Sequence, residues 1–286
     1  MKYTLITKDL KNDQLAETLQ ALANCYAALP AEVYVVGAAA RDLAFRLLKV
    51  EPAARRTLDL DVAVMLRDWQ QYDQLTELLL QHYFDKLPEK QRFVYRGANN
   101  NNKYVVDIVP FGAIAHDELV AWPPEGTPVM SVHCFEDVMN NADTVLVDSK
   151  FSFRLASLAG QFLIKLDTWY DRHLTTHKDA SDMVYILQNV YLAYANACTT
   201  ALPSEINIDA ENFEIVVAGA EWIAAELKQI LTEEHRRFYA DALAAEVEKE
   251  EDSELLDQML DVAGSQNYAV FHRALQRMAQ IIKPQK

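Results

Sequence analysis

The chain has 286 residues, 51% of them hydrophobic, and a formal net charge of −15. That is enough apolar surface for one large domain or two smaller ones. No apolar run reaches the ~18 residues of a membrane span, the N-terminal "MKYTLITKDLKNDQLAETL" lacks the apolar stretch of a signal peptide, and Cys25, Cys134 and Cys198 show no disulfide or ligand spacing, so a cytoplasmic protein with no membrane association is expected.

Residues 8–28 repeat apolar side chains at helical spacing (Leu10, Leu15, Leu19, Leu22, Tyr26), and Pro30 closes that helix. "EVYVVG" reads as a short buried strand feeding a helix, "AAARDLAFRLLKV", that opens after Gly37. "EPAARR" is a loop, "TLDLDVAV" the next strand, and "DWQQYDQLTELLLQHY" an amphipathic helix capped by Asp68. "RFVYR" and "KYVVDIVPF" form strands joined by the turn "GANNNN". Residues 116–143 are expected to be a proline-punctuated connection with little regular structure, with Trp122 as a loop anchor, and "TVLVDSKFSFRLASL" a hairpin. From Ala156 onward the pattern is helical, including one acidic helix over "AAEVEKEEDSELLDQMLD" with a solvated face. The switch from mixed elements to helices sets the expected boundary, with domains at 1–150 and 151–286. The expected class is α+β, a small mixed sheet followed by a C-terminal helical domain.

Charge is unevenly spread. Residues 1–119 carry 14 Lys and Arg against 16 Asp and Glu, whereas residues 120–286 carry 13 against 26. An acidic surface repels nucleic acid, so an anionic substrate is expected on the N-terminal half. There Arg41, Arg46, Lys49, Arg55 and Arg56 precede the "TLDLDVAV" strand.

That strand carries the chemistry. Alternation puts Leu58, Leu60, Val62 and Val64 on one face and Thr57, Asp59, Asp61 and Ala63 on the other. Two carboxylates roughly 7 Å apart on one face repel unless water or a cation screens them. A third acid, Asp107, lies among Val105, Val106, Ile108 and Val109, where burial unpaired would cost several kcal/mol. Gly37 opens a helix whose free N–H groups suit an anion. Three carboxylates beside a phosphate-binding helix start are a donor set for divalent cations, which bridge carboxylates to nucleotide phosphates.

"VVGAAARDLAF", "RRTLDLDVAV" and "VVDIVPFG" resemble the polymerase-β-type nucleotidyltransferase superfamily, and "SLAGQFLIKLDTWYDRHLTTHKDASDMVYIL" is similar to the AbiEii-type nucleotidyltransferases within it. The resemblance spans roughly residues 30–190. It implies the nucleotidyltransferase fold, and Mg²⁺ (or Mn²⁺)-dependent transfer of a nucleotidyl group from a nucleoside triphosphate such as ATP to an acceptor hydroxyl. It also implies a toxin-like role with an antitoxin protein as partner; the tRNA 3′ end, a protein or a small molecule would be the acceptor. Residue by residue it assigns Asp59, Asp61 and Asp107 to the metal and to catalysis. Gly37, Ala38 and Arg41 fall to the nucleotide, and Lys165, on the helical domain, to triphosphate and catalysis. Asp182 is assigned to catalysis, and Arg172 and Asp179 to the nucleotide, with Arg172 either touching phosphate or orienting Asp179. Ala38 stands where many members have serine or a second glycine, leaving only backbone N–H groups for phosphate. "AAARDLAF" is also similar to the G-x-x-R-D segment of CCA-adding enzymes and poly(A) polymerases, without their base-selecting arginine motif.

The alternative to an enzyme is a non-catalytic nucleotide-binding or protein-interaction module on the same fold, which Ala38 favours and the clustered acids disfavour. A phosphatase or nuclease lacks a water-activating histidine within these motifs. His173 and His177 have a helix-face spacing that suits zinc, but no third ligand is evident. Trp169, Tyr170, Tyr185, Tyr191 and Tyr194 read as core.

Overall fold

Period-two alternation builds the middle of the sheet. In β3 (Asp59–Met65) Leu60, Val62 and Val64 are fully buried while Asp59 and Asp61 are half-buried; β6 (Tyr104–Phe111) repeats this with Val106 and Ile108 against Asp107. The computed structural model describes residues 2–29, 31–51, 59–100, 103–197, 201–263 and 268–284. The chain divides into two compact units, one of Met1–Ala44 and Pro52–Ser157, the other of Phe45–Glu51 and Leu158–Lys286.

The first unit is organised on an eight-stranded mixed sheet, larger than the strands legible in sequence. Besides β3 and β6 it contains β1 (Lys2–Leu5), β2 (Tyr34–Val36), β4 (Phe84–Lys86), β5 (Arg92–Tyr95), β9 (Asp143–Val147) and β10 (Phe151–Leu155). Their order is β1-β9-β10-β2-β3-β6-β5-β4. The pairs β1–β9, β10–β2 and β3–β6 are parallel and the others antiparallel. The hairpin β9–β10 straddles residue 150, and β10 pairs with β2, which puts it in the first unit. The helices α1 (Asp13–Ala27) and α3 (Trp69–Gln81) start where a side chain takes up a free N–H: Asn12 accepts from Leu15 N at 3.1 Å, and Asp68 from Gln71 N at 2.8 Å. The Asn12 cap sets the α1 start at residue 13, and residues 7–10 form a separate 3₁₀ turn rather than its first turn.

Residues 116–143 are more regular than expected. They contain the hairpin β7 (Leu119–Ala121) and β8 (Val129–Ser131) and the short helix α4 (Phe135–Asn140). Val120 of β7 and Trp122 just after it are buried, Trp122 lying 5.7 Å from the Trp69 ring of α3, which gives this Pro-rich stretch an apolar anchor. Trp122 is thus an anchor, as its flanking prolines suggest.

The second unit is helical: α5 (Leu158–Arg172), α6 (Lys178–Ala197), α7 (Ile215–Ile230), α8 (Glu233–Glu248), α9 (Glu254–Ala263) and α10 (Tyr268–Ile282). The helices α6 and α7 approach closely at Gly219, where a Cβ would lie 2.5 Å from the Leu187 carbonyl oxygen. The acidic stretch is two helices, not one. Ser253 Oγ accepts from Leu256 N at 3.2 Å and donates to Glu246 Oε2 at 2.7 Å, so it caps α9 and ties it back to α8. Among the described residues, no helix is long and apolar enough to cross a membrane. The architecture is α+β, a mixed-sheet unit followed by a helical one.

Candidate functional site

Strand register draws one row of residues across the first unit. Val36 pairs with Asp61 across β2–β3, Asp61 with Asp107 across β3–β6, and Asp107 with Arg92 across β6–β5. Registered neighbours point to the same face on strands about 4.8 Å apart. Asp61 and Asp107 are therefore side by side. Asp59 stands two residues along β3 on that face, beside Val105. The sheet brings the three predicted acids together, all half-buried.

At the end of β2 the chain turns at Gly37, whose φ is +70°, and enters the helix α2 (Gly37–Leu47). A Cβ on Gly37 would lie 2.1 Å from Asp61 Oδ2 and 2.9 Å from Asp61 Cγ. Only glycine takes this φ without strain and leaves room for that carboxylate. Asp61 thus touches the start of the helix, where free N–H groups concentrate positive charge. Ala38 follows, half-buried. Arg41 is 3% exposed, its Nε and Nη2 donating to Asp42 Oδ1 at 3.0 and 2.8 Å. Arg55 and Arg56 lie outside the described residues.

The register also supplies a residue the sequence reading missed. Arg92 Nε donates to Asp107 Oδ1 at 2.8 Å and Nη2 to Oδ2 at 2.7 Å, a two-pronged ion pair. The Asp107 hydrogen bond holds the Arg92 guanidinium even more firmly protonated than usual, with burial opposing and the charges of Asp107, Glu89 and Asp59 assisting. The local field is negative: the Tyr104 hydroxyl is pushed above its ordinary pKa by burial first, then by Asp59, Asp42 and Asp61.

The remaining predicted residues form a second cluster, in the helical unit. Lys165 and Arg172 lie two turns apart on α5, and Asp179 and Asp182 one turn apart at the start of α6. Lys165 Nζ is 3.2 Å from Asp179 Oδ1 and 3.0 Å from Asp182 Oδ2. Arg172 Nε and Nη2 donate to Asp179 Oδ2 and Oδ1 at 2.7 and 2.9 Å. The Asp179 side chain is fully buried. Burial raises its pKa, but the Arg172 hydrogen bonds and the charges of Lys165 and Arg172 outweigh that and hold it below the usual carboxylate range.

The histidines fall at the α5–α6 corner. His173 stacks on Trp169 at 4.4 Å and its Nε2 lies 2.9 Å from Glu254 Oε2, while His177 is exposed just before α6. Trp169 is core, donating to Gln258 Oε1 at 2.9 Å.

No protein-family model and no curated protein matches the chain. Among solved structures it is similar to an antigenic nucleotidyltransferase-like protein from Paracoccidioides brasiliensis, with 18% identity and a TM-score of 0.40 over 77% of this chain and 89% of that one. It is also similar to the Thermotoga maritima CCA-adding enzyme complexed with tRNA, with 12% identity and a TM-score of 0.34 over 96% of this chain and 53% of that one. Likenesses this slight carry no inference about the reaction.

Proposed function

We propose that the protein is a divalent-metal-dependent nucleotidyltransferase that moves a nucleotidyl group from a nucleoside triphosphate to an acceptor hydroxyl. The observation that carries this reading is the in-register pair Asp61–Asp107, with Asp61 lying against Gly37 at the start of α2.

The donor set fits Mg²⁺ or Mn²⁺. Asp59, Asp61 and Asp107 offer hard oxygen ligands from one face, and a carboxylate oxygen that accepts one hydrogen bond keeps a second lone pair, so Asp107 can ligate while held by Arg92. A bound divalent ion supplies charge neutralisation for the triphosphate and for the attacking and leaving oxygens.

The chain's own residues position the substrate. The start of α2 presents backbone N–H groups to phosphate, and Gly37, having no Cβ, lets the Asp61 carboxylate lie against that start. Ala38 adds no donor, so phosphate recognition rests on backbone. In the transfer the acceptor oxygen bonds to the α-phosphorus, the bond to the β-phosphate bridge breaks, pyrophosphate leaves, and the hydroxyl proton passes to solvent.

The choice of acceptor, whether tRNA 3′ end, protein or small molecule, and the antitoxin partner rest on the AbiEii-type resemblance alone. The test is incubation of the full chain with each α-labelled triphosphate, Mg²⁺, and total cellular RNA or protein, followed by gel separation. Label on a discrete acceptor supports the reading; no label on any acceptor with any nucleotide contradicts it.

A further inference from the structure

Arg92 stands directly opposite Asp107 in antiparallel register, so its side chain leaves the sheet on the face that carries Asp59 and Asp61. Its fork takes both Asp107 oxygens, at 2.8 and 2.7 Å. The side chains are 34% and 14% exposed, so solvent screens this pair only in part. A guanidinium does not lose its proton at any working pH. Asp59 also lies within electrostatic reach of it. The acids of this face therefore have a permanent cation built into their midst.

Charge then limits how many ions can enter. Asp59, Asp61 and Asp107 together carry −3, and Arg92 brings the sum to −2; Glu89, whose carboxylate is 3.9 Å from Arg92 Nη1, is 51% exposed, so solvent screens its charge. One divalent cation balances that sum. A second would raise the sum to +2 and would sit on a carboxylate whose two oxygens already meet a guanidinium. From this geometry we infer that Arg92 is a positioning residue that takes the place of a second divalent ion, so that the nucleotide-free protein binds a single one. The inference rests on the metal-site reading proposed above and adds a stoichiometry to it.

The alternative is that metal displaces the Arg92 fork from Asp107 and two ions bind. The two differ in what removal of the charge does. Arg92→Gln keeps a polar side chain and removes the cation, whereas Arg92→Lys keeps the cation and loses the fork. If charge excludes the second ion, lysine preserves the limit and glutamine lifts it.

The experiment is titration of the nucleotide-free full chain with Mn²⁺ alone, followed by calorimetry and by electron paramagnetic resonance. The expected result is one bound Mn²⁺ in wild type and in Arg92→Lys, and two in Arg92→Gln. The two ions should show the broadened spectrum of a coupled pair, and the first should bind roughly tenfold more tightly than in wild type. Two ions in wild type, or one ion with unchanged affinity in Arg92→Gln, overturns the inference while leaving the metal site standing. No bound Mn²⁺ in wild type overturns the metal site itself, and this inference with it. If Arg92→Gln does not fold, the wild-type and Arg92→Lys stoichiometries still decide, since two ions in either contradicts it.

Discussion

Asp61 Oδ2 occupies the space beside Gly37 that a side chain would fill, 2.1 Å from where a Cβ would stand. The contact joins the carboxylate face of the sheet to the start of α2. It makes Gly37 a demand of the site as well as of the turn.

Gly37→Ala is accordingly expected to act twice. An L-residue at φ +70° costs about 1–2 kcal/mol, readable by urea unfolding. The added methyl also drives the Asp61 carboxylate away, and Mn²⁺ affinity should fall roughly 10–100-fold, the range seen when a group that orients a ligand is lost. A folded variant with wild-type Mn²⁺ affinity would show that Asp61 does not depend on the bare backbone.

Asp179 sets an acid-dependent part of the second unit's stability. Its folded pKa lies below the usual carboxylate value, because Arg172 and Lys165 outweigh burial. The stabilisation is therefore complete above the unfolded pKa of about 3.9 and is lost as pH falls through the lower folded value. Asp179→Asn should cost about 2–3 kcal/mol at pH 7, less than a fully buried pair because Arg172 is 47% exposed. The gap between wild type and variant should narrow at pH 3. A gap that is constant or wider at pH 3 would mean the ion pair is not its source.

The acids of the first unit were legible because strand alternation is local: Asp59 and Asp61 share a face by spacing alone, and Asp107 stood out among Val105, Val106, Ile108 and Val109. Arg92 was not, because its meaning depends on the register Arg92↔Asp107, a pairing 15 residues apart. The signal was available in principle, since β5 and β6 are consecutive in the chain and pair antiparallel. The edge strands β1 and β4 are four and three residues long, too short for alternation to announce them. β7 and β8 are hidden by flanking prolines. The break between α8 and α9 turns on one hydroxyl, Ser253, inside an acidic run that reads as continuous helix. In the second unit Lys165, Arg172, Asp179 and Asp182 were picked out by resemblance and not by spacing, and the packing of α5 on α6 shows the ion-paired cluster they form.

Lys165 Nζ lies between two carboxylates, 3.2 and 3.0 Å away, an arrangement that braces α5 against α6. Lys165→Ala is expected to lower stability by about 1–3 kcal/mol, since it strips a charged partner from a buried acid, and to leave Mn²⁺ binding unchanged. Urea unfolding, Mn²⁺ titration and triphosphate titration in parallel check this. Unchanged stability with weakened triphosphate binding would assign the lysine to the ligand instead.

If the carboxylate face drives transfer, the rate of Asp61→Asn shows it most directly. The measurement is release of pyrophosphate from each triphosphate with Mg²⁺ and acceptor, for wild type, Asp61→Asn and Ala38→Ser. Loss of a charge-stabilising group at a reacting centre costs about 10²–10³ in rate. A hydroxyl at residue 38 adds at most one hydrogen bond to phosphate, about 1 kcal/mol. Transfer by wild type, its loss in Asp61→Asn, and an equal or faster rate in Ala38→Ser are the results predicted. Transfer by Asp61→Asn at the wild-type rate, or activity that arises only in Ala38→Ser, would contradict the account.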